Sequence, residues 1–373
     1  MPGRVCWRST GAISVAERRD GGAVAYNPVV WKLSVLDQAP IISGSTPVEA
    51  LRTTLRLAEA IDALGYHRYW VAEHHSSGAL ACSAPEILIG QILARTRHLR
   101  VGSGGVLLQH YSALKVAEVF RTLETLYPGR VDLGIGRAPG SDPRTAKALA
   151  AGPGSWPLEY FPQRVADLRR WLHDALEPDH PFAGVRAMPT GPSAPELWLL
   201  GSSAESAAYA ALYGVPFAFA HFINQRDAVA VVRAYREAFR PSVYQSEPRA
   251  LLAVFAVCAE TEAEARRLAR SRELFLVRLH QNARLPYPSL ADVEAHVYTP
   301  QERAILAHTA GRTIAGTPEQ VRATLMELAE AAGADELMVL TITPDFATRL
   351  RSYELLAEAF GLRPAAAPAV AAR

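Results

Sequence analysis

Eight short apolar runs recur along the chain, and longer amphipathic segments separate them. Short apolar runs are typical of strands that a parallel sheet buries on both faces, and the segments between them have helical periodicity. This alternation predicts repeated strand–helix units. The candidate strands are Lys32–Leu36, Tyr69–Ala72, Arg100–Leu107, Arg130–Ile135, Glu196–Leu200, Pro216–Ala220, Leu251–Val257 and Glu336–Ile342. Because a TIM barrel has eight strands, the sequence predicts an α/β fold of the (β/α)8 type.

An open, doubly wound sheet would show the same alternation, and its glycine-rich phosphate loop distinguishes it from a barrel. The first candidate strand runs into Asp37–Pro40, which contains no glycine. The glycines of Gly102–Gly105 lie inside a strand, and Gly134–Gly136 lacks a third glycine at the required spacing. The sequence therefore favours the barrel over a dinucleotide-binding sheet.

The barrel is expected to occupy residues 31–362, since residues 1–30 show no sustained periodicity and are predicted to be a poorly ordered extension. Residues 281–316 contain three prolines and little periodicity, so they are predicted to form an insertion before the last strand. Such an insertion is either a lid or a solvated excursion. Residues 363–373 are rich in Ala and Pro and are predicted to be a disordered tail.

Charge and cysteine content narrow the functional classes. The 39 Lys and Arg residues balance 37 Asp and Glu residues and are scattered, so neither nucleic acid nor an acidic membrane is an expected partner. The three cysteines are far apart and form no CxxC pair, which argues against disulfides and thiolate metal sites. Without a signal peptide or a membrane-spanning stretch, the chain is predicted to be a cytoplasmic protein that acts on small molecules.

Polar residues follow the carboxyl ends of six candidate strands, the positions that meet at the mouth of a parallel barrel. They are Asp37 and Gln38, Glu73–His75, Gln109–Tyr111, Arg137, Gly201–Ser203 and His221. His74 is either a hydrogen-bonded structural residue or an acid–base group. Arg137 is either one half of a surface salt bridge or a ligand for a phosphate or carboxylate.

Two further features of the mouth suggest a bound nucleotide. Ser202 and Glu205 have capping-box spacing, and an uncapped turn in the same place would instead bind phosphate together with Arg137. Gly104 and Gly105 stand inside a strand, which indicates either a tight barrel interior or a flat ligand lying against the backbone. A flat ring over the glycines with its phosphate at Arg137 describes a mononucleotide such as a flavin.

These motifs resemble those of the bacterial luciferase-like flavin-dependent monooxygenases, especially their single-chain oxidoreductase members. The resemblance extends from about residue 31 to residue 360. Its strongest segments are LSVLDQAPI (Leu33–Ile41), LGYHRYWVAEHH (Leu64–His75), RVGSGGVLLQHYSALKVAE (Arg100–Glu118), LYPGRVDLGIGRAPG (Leu126–Gly140) and ADELMVLTIT (Ala334–Thr343). The family fold is an eight-stranded α/β barrel, in agreement with the strand count.

The resemblance implies FMN as the cofactor, with its ring lying against a non-prolyl cis peptide at Gly104–Gly105. By the same resemblance Arg137, Ser202 and Ser203 bind the FMN phosphate, and His74 assists the oxygen chemistry. Gly136 stands where luciferases have a cysteine beside the flavin carbon that reacts with oxygen, so it counts among the cofactor-binding positions.

The implied activity is oxygenation of a small organic substrate by O2 and reduced FMN, the latter supplied by a separate flavin reductase. A deazaflavin-dependent oxidoreductase and a non-catalytic flavin-binding barrel, both found in the family, remain as alternatives. A metal-dependent hydrolase using Asp37, His74, His110 and His221 is disfavoured because no HxH or HExxH motif is present. We therefore expect no metal. A homodimer is compatible with the sequence.

Overall fold

Nine parallel strands form the framework of the protein, seen in a computed structural model that describes residues 31–137, 142–150 and 157–363. The apolar runs form these strands because almost every residue in them is buried. The strands are β1 (Lys32–Asp37), β2 (Arg68–Val71), β3 (Arg100–Leu107), β4 (Val131–Gly136), β5 (Glu196–Gly201), β6 (Phe217–Ala220), β7 (Ala250–Cys258), β8 (Ile314–Gly316) and β9 (Glu336–Leu340).

Eight of these strands close into a ring. Strands β1 to β7 pair in sequence order, and β9 pairs with both β7 and β1, which closes the barrel. The short strand β8 pairs only with the end of β7, so it lies outside the ring. The predicted (β/α)8 barrel is thus confirmed, and each predicted strand agrees with an observed strand to within two residues at either end.

Helices cover the outside of the barrel. Several begin at a proline preceded by a threonine whose hydroxyl accepts a backbone hydrogen bond, as at Thr46 and Thr317. The helices are α1 (Pro47–Ala63), α2 (Pro85–Arg95), α3 (Ala113–Leu126), α4 (Pro143–Leu149), α5 (Phe161–Leu172), α6 (Ala204–Tyr213), α7 (Ala228–Ala238), α8 (Glu262–His280), α9 (Leu290–Ala295), α10 (Pro300–Thr309), α11 (Pro318–Ala332) and α12 (Phe346–Phe360).

A buried ion network fills the amino-terminal end of the barrel. Arg68 on β2 donates hydrogen bonds to Asp132, Glu196 and Glu336, which stand at the starts of three other strands. Its guanidinium also lies 4.9 Å from the ring of Trp198. This network closes the lower end, so the barrel interior is accessible from the carboxyl ends of the strands, where TIM barrels carry their active sites.

The segment between α8 and α11 is an insertion, as predicted, and it has regular structure of its own. It contains α9, α10 and β8, and capping boxes at Ser289 and Thr299 start its two helices. Helices this short span too few turns to produce a visible periodicity in the sequence. The predicted extension at residues 1–30 and all of the predicted tail at residues 363–373 except Arg363 lie outside the described residues. No described helix is both long enough and apolar enough to cross a membrane.

Candidate active site

A cavity of about 440 Å³ lies at the carboxyl ends of the barrel strands. Its size falls within the usual range for small-molecule sites, roughly 300 to 1,000 Å³. The seven residues that the family resemblance assigned to catalysis and cofactor binding all line it: His74, Gly104, Gly105, Gly136, Arg137, Ser202 and Ser203. These residues come from the ends of four strands that are neighbours in the barrel, β2 to β5. The structure thus brings the whole predicted set together.

The wall formed by β3 carries no side chains at Gly104 and Gly105. The peptide bond between them is cis, and the register with β4 shifts between Gly104 and Val106. A Cβ atom on Gly105 would lie 2.8 Å from the carbonyl oxygen of Gly134, and one on Gly104 would lie 2.7 Å from Leu36 Cδ1. Close packing therefore requires glycine at this pair, and the backbone itself borders the cavity.

The N-terminus of α6 borders the cavity beside the end of β4. Ser203 caps α6, since its hydroxyl accepts a hydrogen bond from the backbone N–H of Ser206. The predicted capping box of Ser202 and Glu205 is therefore wrong, because the helix starts one residue later than the spacing implied. A Cβ atom on Gly201 would lie 2.3 Å from Ser206 Oγ, so glycine lets the helix start this close to the strand.

Arg137 follows β4 and reaches the same helix N-terminus. Its guanidinium forms an ion pair with Glu205 in the first turn of α6, and both side chains are partly exposed. The hydrogen bond from Arg137 lowers the pKa of Glu205. The positive end of the helix, the hydroxyls of Ser202 and Ser203 and this arginine together make an anion-binding arrangement that Glu205 partly neutralises.

His74 lines the cavity just beyond β2. Burial lowers the pKa of His74 from 6.5 to about 4, with the Ala72 carbonyl opposing that shift, so the imidazole is neutral near pH 7. Its Nδ1 atom is buried and makes no hydrogen bond to any residue that the structure describes. A buried polar atom without a partner is unusual in a folded protein, and a ligand in the cavity would supply that partner.

Glu73, next to His74, fastens β2 to the end of β3. Its carboxylate accepts hydrogen bonds from the Tyr111 hydroxyl at 2.6 Å and the Leu107 backbone N–H at 2.9 Å. His75 Nε2 lies 2.6 Å from the same carboxylate, so His75 is held away from the cavity that His74 lines. This arrangement fixes the backbone that presents His74.

Six other residues predicted at the mouth do not line this cavity: Asp37, His75, Gln109, His110, Tyr111 and His221. Asp37 is buried, where it accepts hydrogen bonds from Thr54, Tyr69 and Arg349, and its role is to join β1 to the surrounding helices. Within the described ranges, no three His, Cys, Asp or Glu side chains come together as a possible metal site.

The sequence did not identify the apolar floor of the cavity. Leu36, Trp70 and Met338 point inward from β1, β2 and β9 and belong to the apolar cluster inside the barrel. Each stands in an apolar strand, where neighbouring residues face the helices instead. Alternation cannot separate the two faces, since both are buried.

Comparisons with known proteins agree with this geometry. Residues 32–336 match the family profile of the luciferase-like monooxygenases. The uncharacterised Bacillus subtilis protein YwcH is 47% identical over 329 residues, covering 88% of this chain and 98% of the relative. The N-acetyl-S-alkylcysteine monooxygenase of Bacillus subtilis is 37% identical, covering 88% of this chain and 98% of its own length. The solved structure of apo-MsnO8 is 43% identical, covers 90% of this chain and 99% of its own, and superposes with a TM-score of 0.81. The chain therefore belongs to the luciferase-like monooxygenase family.

Proposed function

We propose that this protein uses reduced FMN and O2 to oxygenate a small organic substrate. One observation carries the proposal: a single cavity combines a wall of bare backbone at Gly104 and Gly105 with an anion-binding corner at Arg137 and Ser203. FMN has a flat ring at one end and a phosphate at the other, so its chemistry matches both parts.

The ring would lie against β3. The two glycines leave no Cβ atoms in its way, and Leu36, Trp70 and Met338 supply an apolar floor. Gly136 adds open space, because a Cβ atom there would meet nothing within 4 Å. A flat aromatic group stacked here would cover apolar surface and the otherwise exposed strand backbone.

The phosphate would lie at the N-terminus of α6. Ser202 and Ser203 line this part of the cavity, and Arg137 offers a guanidinium that can donate two parallel hydrogen bonds to phosphate. The partial positive charge of the helix end adds to the attraction. In this arrangement the phosphate replaces Glu205 as the main partner of Arg137.

Bound reduced FMN supplies the two electrons that allow one oxygen atom of O2 to enter the substrate while the other becomes water. The apolar walls exclude bulk water from that reaction. His74 is neutral, so its unpaired Nδ1 is able to hold or accept a proton at the reacting centre. His74 is the proposed catalytic residue.

The deazaflavin F420 is the alternative cofactor, since some solved proteins of this fold use FMN and others use F420. One is the oxygenating part of a Pseudomonas putida diketocamphane monooxygenase in complex with FMN, and another is an F420-dependent secondary alcohol dehydrogenase. At 17% and 15% identity these likenesses concern the fold alone. The proposal also includes a cytoplasmic location and a separate flavin reductase, the latter because no second nucleotide-binding motif was recognised in the sequence.

Anaerobic titration with reduced FMN and reduced F420 tests the cofactor, with the change in absorbance as the measure of binding. We expect FMN to bind and F420 to bind at least tenfold more weakly; the reverse order would replace the proposal with deazaflavin chemistry. The FMN-loaded protein is then mixed with ¹⁸O2 and a metabolite extract. We expect one labelled atom in an organic product, whereas recovery of all consumed oxygen as hydrogen peroxide would contradict a monooxygenase.

A further inference from the structure

A second cavity, of about 660 Å³, adjoins the first. The two share Gln38, His74, Phe222 and Ile223 as lining residues, so His74 stands on the boundary between them. The outer wall of the second cavity comes from α8 and from the insertion between α8 and α11. A molecule in the second cavity would therefore reach the same histidine that borders the first.

Four arginines line this second cavity, and two of them are paired with carboxylates. Arg284 forms an ion pair with Asp142 at 2.6 Å and donates a hydrogen bond to Ser76. Arg278 lies 4.0 Å from Asp292 and donates a hydrogen bond to a backbone carbonyl. These two cations serve the packing of the insertion.

The other two arginines, Arg272 and Arg312, have no carboxylate partner among the described residues. The Nε atom of each is buried and makes no hydrogen bond within the described part of the chain. Arg272 is only 4% exposed, and its guanidinium lies 4.5 Å from the ring centre of Phe255 and 5.6 Å from that of Phe275. Its polar neighbour is the buried hydroxyl of Tyr287, a neutral group that does not balance the charge.

A buried cation with a second cation nearby is unfavourable. Burial lowers the pKa of Arg272, the nearby Arg312 lowers it further, and Tyr287 opposes both. A buried charge that lacks a counterion is costly, and a second charge of the same sign adds repulsion. Asp142 is the sole carboxylate among the described lining residues, and Arg284 already occupies it. An anionic ligand would supply the missing counterion and would also reduce the repulsion between the two arginines.

We infer that Arg272 and Arg312 bind the anionic group of the substrate, which is a small organic acid such as a carboxylate or sulfonate. Guanidinium groups match such oxyanions with parallel, charge-assisted hydrogen bonds. The rest of the cavity is largely apolar, with Phe222, Ile223 and Phe275 on its walls. The apolar part of the acid extends along these side chains from the arginines toward His74. This inference rests on the proposed function and specifies its substrate class.

Calorimetric titration with octanoate, octanesulfonate and methyl octanoate tests the inference. Methyl octanoate has the same chain without a charge, so we expect it to bind at least tenfold more weakly than either anion. Arg312→Gln should lower the affinity for both anions about 10- to 100-fold, since it removes charge-assisted hydrogen bonds. Equal binding of octanoate and its methyl ester would overturn the inference.

Arg284→Gln is the matched control, because Arg284 lines the same cavity but already has a carboxylate partner. We expect its octanoate affinity to stay within about threefold of the wild type.

Arg272→Met tests the buried cation by a second measurement, thermal unfolding. It should unfold at a temperature no lower than the wild type, because it replaces a buried unpaired charge with an apolar side chain. Octanoate should raise the melting temperature of the wild type and leave that of Arg272→Met unchanged; stabilisation of both to the same extent would contradict the assignment.

FMN titration of the same variants separates this inference from the proposed function. We expect Arg272→Met and Arg312→Gln to bind FMN within threefold of the wild type. If FMN affinity falls in these variants while octanoate affinity does not, the arginines serve the cofactor phosphate and the inference is wrong. If octanoate binds as expected but FMN binds to none of the proteins, the proposed function fails and the anion site stands.

Discussion

Arg137 at the end of β4 and Glu205 in the first turn of α6 form an ion pair at the rim of the cavity that we assign to FMN, the inner of the two cavities. A carboxylate at a helix N-terminus is itself favourable, and here it also engages the arginine that we assign to the phosphate. The same corner therefore already holds a negative group where the FMN phosphate would bind. Glu205 competes with the phosphate for Arg137 and for the helix end.

Glu205→Gln should bind FMN a few-fold more tightly than the wild type, because the substitution removes that competitor and its repulsion of the phosphate. Fluorescence titration measures the affinity. Riboflavin, which has no phosphate, is the control and should bind both proteins equally. Weaker FMN binding by Glu205→Gln would show that Glu205 positions Arg137 instead of competing for it.

The glycines that border the cavity should differ in their effect on stability. Gly105→Ala is expected to lower the free energy of unfolding by about 1 to 3 kcal/mol, since the new Cβ atom would press against the backbone of β4. Gly136→Ala should change it by no more than about 0.5 kcal/mol, because its Cβ atom would point into open space. Denaturant unfolding of both variants provides the comparison, and equal losses would contradict the packing described for β3.

His74→Ala should lower the rate of product formation about 100- to 10,000-fold while leaving FMN affinity within a few-fold, as expected when acid–base assistance is removed. His75→Ala is the companion variant and should affect the rate less, because His75 is paired with Glu73 outside the inner cavity. Single-turnover oxidation of bound reduced FMN, with product separated from released hydrogen peroxide, gives the rate. An unchanged product rate in fully loaded His74→Ala protein would exclude the proton role.

The lowered pKa of His74 predicts a specific dependence of stability on pH. The folded protein takes up this proton only near pH 4, whereas the unfolded chain takes it up near pH 6.5. The unfolded state thus binds more protons between these values, so the contribution of His74 to stability is present above pH 6.5 and is lost as the pH falls toward 4.

His74→Gln should therefore lose less stability than the wild type between pH 7 and pH 4. The pKa values of His67, His173 and His221 are also lowered by burial, but these residues are present in both proteins and their effects cancel in the difference. Denaturant unfolding along a pH series measures it. Parallel curves for the two proteins would show that His74 titrates normally.

The insertion is expected to become more protected when the cavities are filled. Tyr287 is anchored to the segment after β1 by two backbone hydrogen bonds of 2.8 Å, to Ile41 and from Ser43, so its amide should be protected in every state. Residues 296–312, which carry Arg312, should exchange more slowly once FMN and octanoate are bound. Hydrogen exchange with mass spectrometry follows both segments, and unchanged exchange across 296–312 would argue against a lid.

Position in the sequence was enough to predict the inner cavity. His74, Arg137 and the Ser202–Ser203 pair each follow an apolar strand, and a parallel barrel brings such positions to one mouth. The glycine pair stood out because glycine is unfavourable inside a strand. These residues could be found from local patterns combined with one topological rule.

The second cavity, which Arg272 and Arg312 line, could not be predicted in this way. Arg272 lies on a long helix with several other arginines, and nothing local shows that it faces Phe255 instead of solvent. Arg312 belongs to the insertion, whose short elements leave no clear pattern. The N-cap of α6 at Ser203 was also missed, since Ser202 and Ser203 are both residues of a type that caps helices well.

The FMN phosphate contact is the central claim, and the ratio of the dissociation constants of riboflavin and FMN tests it most directly. In the wild type we expect riboflavin to bind about 10- to 150-fold more weakly than FMN, because it lacks the charge-assisted contacts. In Arg137→Ala most of that difference should disappear through weaker FMN binding, with riboflavin affinity nearly unchanged. If Arg137→Ala weakens both ligands equally, or leaves FMN binding intact, the phosphate does not lie at Arg137 and the assignment of the inner cavity is wrong.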